Sequence, residues 1–285
     1  MAFERARQQA IIRQVTTRSN VGGNDPPTQK PMTAKLKQIV SRRIHSARER
    51  QQLAKRVSDT TLLTSSVMDA PNFSQVGNGD LQQIFQLVDK NFFDGQVEQV
   101  LREKRFPLSF RLSKRMTSSG GITTMSMPTG SRRKKEFEIA ISSTLLFQSF
   151  RDSRPLSVTG VKCENRLQAL QRIMEHEIIH LVEMVLWHDS NCSAGRFRSI
   201  AQRMFGHRQS SHQLLTPTEV AEIDRGIGVG SKVTFRFSGR RLTGFVNRVT
   251  KRATVLVPDR RGEKYDDGKS YLKYYVPVSS LRLTG

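Results

Sequence analysis

The stretch from Leu167 to Trp187 constrains this chain more than any other. Leu167, Leu170, Ile173 and Met174, then Ile178, Leu181, Val182 and Val185, recur at helical spacing with no Pro or Gly between them. The spacing predicts one apolar, buried helix beginning near Glu164. Inside it runs His176-Glu177-Ile178-Ile179-His180, the HExxH pattern. Positions i and i+4 of a helix share a face about one turn apart, so both imidazoles can reach a single metal ion. Glu177 stands beside them, where a carboxylate holds and deprotonates a metal-bound water. Polar side chains enter such a helix only when something pairs with them. The bland alternative is a chance five-residue match with core histidines in ordinary hydrogen bonds; the apolar setting favours zinc.

Charge sets the class of partner. The 285 residues hold 47 Lys or Arg against 25 Asp or Glu, a formal net charge of +22, with a pI near 10.9. Such a field attracts polyanions, nucleic acid first and an anionic membrane surface second. No run approaches the roughly 18 apolar residues of a membrane span, and Met1 to Arg13 lacks the apolar stretch of a signal peptide. Two cysteines, Cys163 and Cys192, make no disulfide framework. The expectation is a soluble intracellular protein of one to three domains. Apolar content of 36% implies that part of the chain lies outside packed core.

Residues 1–78 read as a basic, largely disordered arm. Gly22-Gly23-Asn24-Asp25-Pro26-Pro27 breaks it, and a helix is expected over 34–57. Arg42 and Arg43 are its candidate phosphate contacts; the alternative is a solvated tail. Residues 79–215 are patterned. Asp80 is an expected N-cap for a helix with an apolar stripe of Leu81, Ile84, Phe85, Val88 and Phe92. Leu108 to Leu112 alternates like a strand, Gly120-Gly121 turns into Ile122 to Met125, and Phe137 to Ser142 forms a further strand. The run Arg132-Arg133-Lys134-Lys135 falls at the hairpin turn, where it either touches phosphate or is solvated. Residues 216–225 read as a linker helix with Thr216 as N-cap and Pro217 in its first position. From 226 to 285 the period switches to two, over 232–237, 242–249, 253–257 and 272–277, with glycines between. That pattern suggests a five-stranded SH3-like barrel. Arg240, Arg241, Lys251 and Arg252 give it a basic face, with Tyr265, Tyr271, Tyr274 and Tyr275 nearby to stack on bases; alternatively the aromatics fill its core.

Four motifs together carry a resemblance. Leu81-Gln82-Gln83-Ile84-Phe85 leading to Asn91-Phe92-Phe93-Asp94-Gly95 comes first. Ser113-Lys114-Arg115-Met116 with Gly120-Gly121, then Ile139-Ala140-Ile141-Ser142, then the HExxH helix follow in order. Over residues 80–215 this order and approximate spacing resembles the SprT-like metalloprotease domain. The resemblance implies an α+β, zincin-like domain with the HExxH helix packed on a small sheet. It further implies a zinc metalloendopeptidase like the Spartan proteases, which cut proteins crosslinked to DNA. His176 and His180 would bind Zn2+ and Glu177 would be the general base. The last 60 residues resemble KOW and Tudor-type modules. On this reading the partners are nucleic acid, DNA in particular, and proteins bound to it, with no membrane partner. The location is then cytoplasmic, at the nucleoid in a bacterium.

The sequence departs from the family at the third ligand. The family places His-Gly-x-x-Phe or Trp about 13 residues after the second histidine; Phe197 fits the aromatic position, but Ser193 stands where the histidine belongs. Its neighbour Cys192 is a good ligand as a thiolate, and the helix expected from Ala194 to Phe205 would lower the thiol pKa through its N-terminal dipole. His188, His207 and His212 compete. The last two lie beyond that helix, carried roughly 18 Å away at 1.5 Å per residue unless the chain folds back. The competing functional reading is a non-catalytic nucleic-acid-binding protein with a structural or degenerate SprT-like domain.

Overall fold

The computed structural model describes residues 30–127, 135–151, 156–250 and 252–284, with side chains from Thr33 onward. The chain divides into two units, Met1–Leu214 and Leu215–Gly285. Expectations for residues 1–29, and for Arg132, Arg133, Lys134 and Lys251 as phosphate contacts, lie outside the described residues.

The first unit is α+β. Four helices come first: α1 (Lys30–Arg42), α2 (Ala47–Thr64), α3 (Asn78–Phe92) and α4 (Gln96–Lys104). Strands β1 (Leu108–Ser113), β2 (Gly121–Ser126) and β3 (Glu136–Ser142) follow, then α5 (Ser143–Gln148) and the short pair β4 (Leu156–Val158) and β5 (Val161–Cys163). The unit closes with α6 (Arg166–Trp187) and α7 (Gly195–Phe205). The sheet order is β1-β3-β2, with β1 parallel and β2 antiparallel to β3. β2 forms one edge of the sheet. Buried Leu81, Ile84, Phe85, Val88 and Phe92 are the stripe expected of α3. They share one core with Ile139 and Ile141 of β3 and with Leu170, Ile178 and Val182 of α6.

The arm needs correction. In place of one helix over 34–57 there are two, and Ser46 caps the second with a capping box to Glu49. From α1 onward this segment is part of the domain: Leu36, Ile39, Val40 and Val57 are buried in the common core. Three apolar residues at helical spacing outweigh the basic composition around them, because the charges occupy the opposite face. Arg203 of α7 closes the end of α1 by donating to the carbonyls of Val40 and Arg43, each at 2.7 Å. Between α3 and α4, the carboxylate of Asp89 accepts from the backbone N–H of Val97 at 3.0 Å and Glu98 at 2.8 Å, capping α4.

Arg166 fastens the start of α6. Its guanidinium donates to the carbonyls of Leu146 at 3.0 Å, Asn72 at 3.1 Å and Ser149 at 3.3 Å, and also to that of Phe73. It lies over the rings of Phe73 and Phe147. One buried cation thus ties α6 to α5 and to the segment before α3.

The second unit is β-rich. α8 (Pro217–Arg225) has Thr216 as N-cap, in a capping box with Glu219, and Pro217 in its first turn. Strands β6 (Lys232–Phe237), β7 (Arg240–Val249), β8 (Ala253–Lys264), β9 (Ser270–Val276) and β10 (Arg282–Leu283) form one antiparallel sheet in the order β10-β6-β7-β8-β9. Val233, Phe235, Val246, Val249, Val255 and Val276 make its core together with Ala221 and Ile227. α8, expected as a linker, belongs to this unit because Ala221 packs into that core. A Cβ at Gly244 would collide with the Leu256 carbonyl, so β7 passes β8 there only as glycine. Among the described residues no helix is long and apolar enough to cross a membrane.

Arg166→Met keeps the bulk but leaves four carbonyls in the interior without their donor. The expected loss is about 3 kcal/mol of unfolding free energy, measured by urea denaturation; a loss below about 0.5 kcal/mol would refute the fastening role.

Candidate metal centre

His176, Glu177 and His180 stand on α6, one turn apart along its buried length. The two imidazoles present Nε2 to Nε2 at 3.2 Å. His188 adopts the left-handed conformation at φ 62° and ends the helix, so the chain reverses over residues 189–194 before α7 begins. That reversal returns Cys192 to the histidines. His176 Nε2, His180 Nε2 and Cys192 Sγ form a group whose ligand atoms all lie within 4.8 Å of one another. Phe197, one turn into α7, packs on both imidazoles with ring centroids 4.8 and 4.5 Å away.

Hydrogen bonds around the group set the imidazole tautomer. Ser190 Oγ donates its single proton to Glu183 Oε2 at 2.7 Å. Its oxygen therefore accepts from His180 Nδ1, also at 2.7 Å. With the proton on Nδ1, the His180 Nε2 lone pair points at the group. Glu183 is held in turn by Arg196 Nε at 2.6 Å. Burial pushes His176 well below the ordinary histidine value and His180 down to about 4. Both are then neutral at pH 7, the form that ligates. Burial pushes the Cys192 thiol up, against a lowering hydrogen bond with Ser210. The lowering expected from the α7 terminus is outweighed. A bound cation reverses that balance, because coordination deprotonates a thiol.

Glu177 faces β2. Its Oε2 accepts from Thr123 Oγ1 at 2.8 Å. Burial raises its pKa to about 7 against the Thr123 hydrogen bonds, which lower it. A Cβ at Gly121 would lie 2.7 Å from Glu177 Cγ and Oε1, so the strand crosses the carboxylate only as glycine. Neither Thr123 nor the reason for Gly121 was read from the sequence; the paired glycines, taken as a turn, were the available signal. A cavity of about 280 Å3 opens here. Gly121 to Thr124 form one wall, Val158, Thr159 and Ser210 to His212 the other, and His176, Glu177, His180 and Cys192 the floor.

Two of the competing histidines, His207 and His188, are placed elsewhere. His207 is buried with Nε2 3.0 Å from Glu175 Oε2, a carboxylate also held by Arg172 at 2.7 Å and Gln171 at 2.9 Å. His188 Nδ1 lies 2.8 Å from Lys135 Nζ. The chain does fold back after α7: Thr159 N–H donates to Ser211 O at 2.8 Å and Gln213 N–H to Ser157 O at 2.7 Å. His212 thereby lines the same cavity, outside the three-atom group.

Arg42 is exposed in the first unit, and Arg240, Arg241 and Arg252 are exposed in the second. Arg43 makes a two-pronged pair with Asp94 at 2.8 and 2.6 Å and donates to Phe92 O. Lys135 is half-buried against His188. Of the tyrosines, Tyr274 packs on Phe235 of the core, as the core-filling alternative expected; Tyr271 is buried against Tyr265 outside that core, and Tyr275 is exposed.

Ser190→Ala leaves His180 without its acceptor. Metal affinity is expected to fall about 10- to 100-fold, read by competition with a chromophoric chelator; unchanged affinity would remove Ser190 from the site. Compared with protein-family models, with curated proteins and with solved structures, the chain matches none of them.

Proposed function

We propose that this chain is a zinc-dependent endopeptidase of the SprT-like type, held on DNA by its basic segments and acting on proteins bound or crosslinked there. The convergence of His176, His180, Cys192 and Glu177 on one cavity floor carries the reading. Two imidazoles and a thiolate suit zinc, and three protein ligands leave a fourth position for reaction chemistry. Nitrogens on a tetrahedral zinc, bonded at about 2.0–2.1 Å, stand about 3.4 Å apart, close to the 3.2 Å between the two Nε2 atoms. Held by His176, His180 and Cys192, zinc would supply Lewis acidity toward a scissile carbonyl and a water.

Glu177 takes the proton of the attacking water and returns it to the leaving amine. Burial alone raises Glu177 to about 7, and a cation held beside it would lower that value, leaving a carboxylate ready to take a proton at neutral pH. Thr123 fixes its orientation. β2 is a sheet edge beside the cavity, so an extended polypeptide can pair with its backbone and pass over the floor. Such pairing reads backbone more than side chains, and substrates are then selected by being brought close. The net charge of +22 and exposed Arg42, Arg240, Arg241 and Arg252 supply that attraction toward DNA. The finer fold reading goes with it: a zincin-like SprT domain, then an SH3-like barrel of the KOW or Tudor type, in a cytoplasmic protein.

Metal analysis tests the site first. About one zinc per chain is expected in the wild type and none in a His176→Ala, His180→Ala double variant. A wild type that takes up no zinc when supplied with it would leave only the non-catalytic nucleic-acid-binding reading. Glu177→Gln is expected to keep zinc and lose cleavage by about 100-fold or more, scored on a DNA-bound protein substrate. The base works deprotonated, so cleavage declines as pH drops through the Glu177 pKa. Thr123→Val removes the hydroxyl hydrogen bond that favours the charged form, and the acid limb of the pH–rate profile is expected to move to higher pH. An unmoved limb would assign it to another group.

A further inference from the structure

The sheet of the second unit has two unlike faces. Val233, Phe235, Val246, Val255 and Val276 are buried on one. The alternate positions on the same strands point the other way. Register places them in rows: Lys232 opposite Phe245, Phe245 opposite Leu256, Leu256 opposite Lys273, Arg236 opposite Arg241, Arg248 opposite Thr254, and Thr254 opposite Tyr275. Phe245 and Tyr275 are 41% and 61% exposed; Tyr274 packs on the core, and Tyr271, on the same side of β9 as Tyr275, is covered by Tyr265. Lys232, Arg236, Arg241 and Arg248 have no acidic partner among the described residues, whereas Lys273 is paired with Glu263. Strands β6, β7, β9 and β10 contain no Asp or Glu at all.

A face with four unpaired cations, whose nearby carboxylate Glu263 of β8 is already held by Lys273, is complementary to a polyanion. The two rings decide which kind. Against a duplex they would meet only sugar and phosphate, because the bases are stacked away; against a single strand each ring can take a base on its π-face. Phe245 and Tyr275 are two strand spacings apart across the sheet and two residues apart along it, about 12 Å, so they receive separate bases while the arginines and Lys232 follow the phosphates.

We infer that this outward face binds single-stranded DNA, with Phe245 and Tyr275 as stacking platforms and Lys232, Arg236, Arg241 and Arg248 as phosphate contacts. The choice of DNA rests on the function proposed above; the choice of single strand rests on the two rings. A substrate protein attached near unpaired DNA would thereby be the one brought to the cavity.

The test is fluorescence anisotropy of the full chain with a labelled oligothymidylate, a duplex of equal length and an oligouridylate. Tighter binding of the single DNA strand is expected. Phe245→Ala with Tyr275→Ala should weaken it at least about tenfold and leave duplex binding within about twofold, with an unchanged thermal melt showing that the unit still folds. Arg236→Gln with Arg241→Gln should reduce the slope of log affinity against log salt by about 1.4. Wild-type affinity in the aromatic double variant, an unchanged salt slope, a duplex preference or a ribo-oligonucleotide preference would each overturn the proposal. None of these readouts involves cleavage, so an inactive peptidase that still binds the single strand sinks the peptidase reading alone. A chain that binds duplex through other residues sinks this face alone.

Discussion

Everything in the first unit answers to one constraint: α6 is buried along most of its length, yet it carries Glu175, His176, Glu177, His180 and Glu183. An interior carboxylate or imidazole without a partner costs far more than one hydrogen bond returns. Each carboxylate therefore draws in a different neighbour. Glu175 holds Arg172, Gln171 and His207; Glu177 holds Thr123 of β2; Glu183 holds Ser190 and Arg196 of the reversal into α7. Successive turns of one helix thus fix the sheet edge, the loop after α7 and the segment bearing Cys192. The cavity is what remains between those three attachments.

The same bonds prepare the chemistry. Ser190 carries a single proton, and its loss to Glu183 decides which nitrogen of His180 faces inward. Removal from water keeps both imidazoles neutral and holds Glu177 near 7, so one cause supplies unprotonated ligands and a base matched to neutral pH. Phe197 covers both rings with an apolar side and helps to keep water away from them.

Periodicity made much of the fold legible. β1 to β3, α6, α7 and α8 fall where apolar spacing and caps put them, because those patterns are local; α3 keeps its stripe but starts at Asn78 with Gly77 as N-cap, and Asp80, expected there, stands at N3 and accepts from the Gly77 N–H. Long-range pairing was not legible. Cys192 and His212 both return to the cavity, one through a left-handed residue at His188 and the other through backbone bonds to the β4 region, and neither path is written in spacing. The arm was misread because thirteen basic residues conceal the apolar Leu36, Ile39, Val40 and Val57. Charge misled in a second way. Arg43, expected as a phosphate contact, donates instead to a backbone carbonyl within the first unit, as do Arg166 and Arg203. Arginine suits that task because its planar fork serves several carbonyls at once.

The attachment of His207 to Glu175 has a mechanical result. Glu175 directly precedes the first histidine of the group, and His207 opens the segment that forms the far wall of the cavity. Floor and far wall are thereby a single piece, and any drift of one carries the other along. The opposite wall differs, since β2 is bound to the sheet on one side only. A bulky guest gains room by displacing that strand outward, so the width of the cleft is governed by the stiffness of one hairpin.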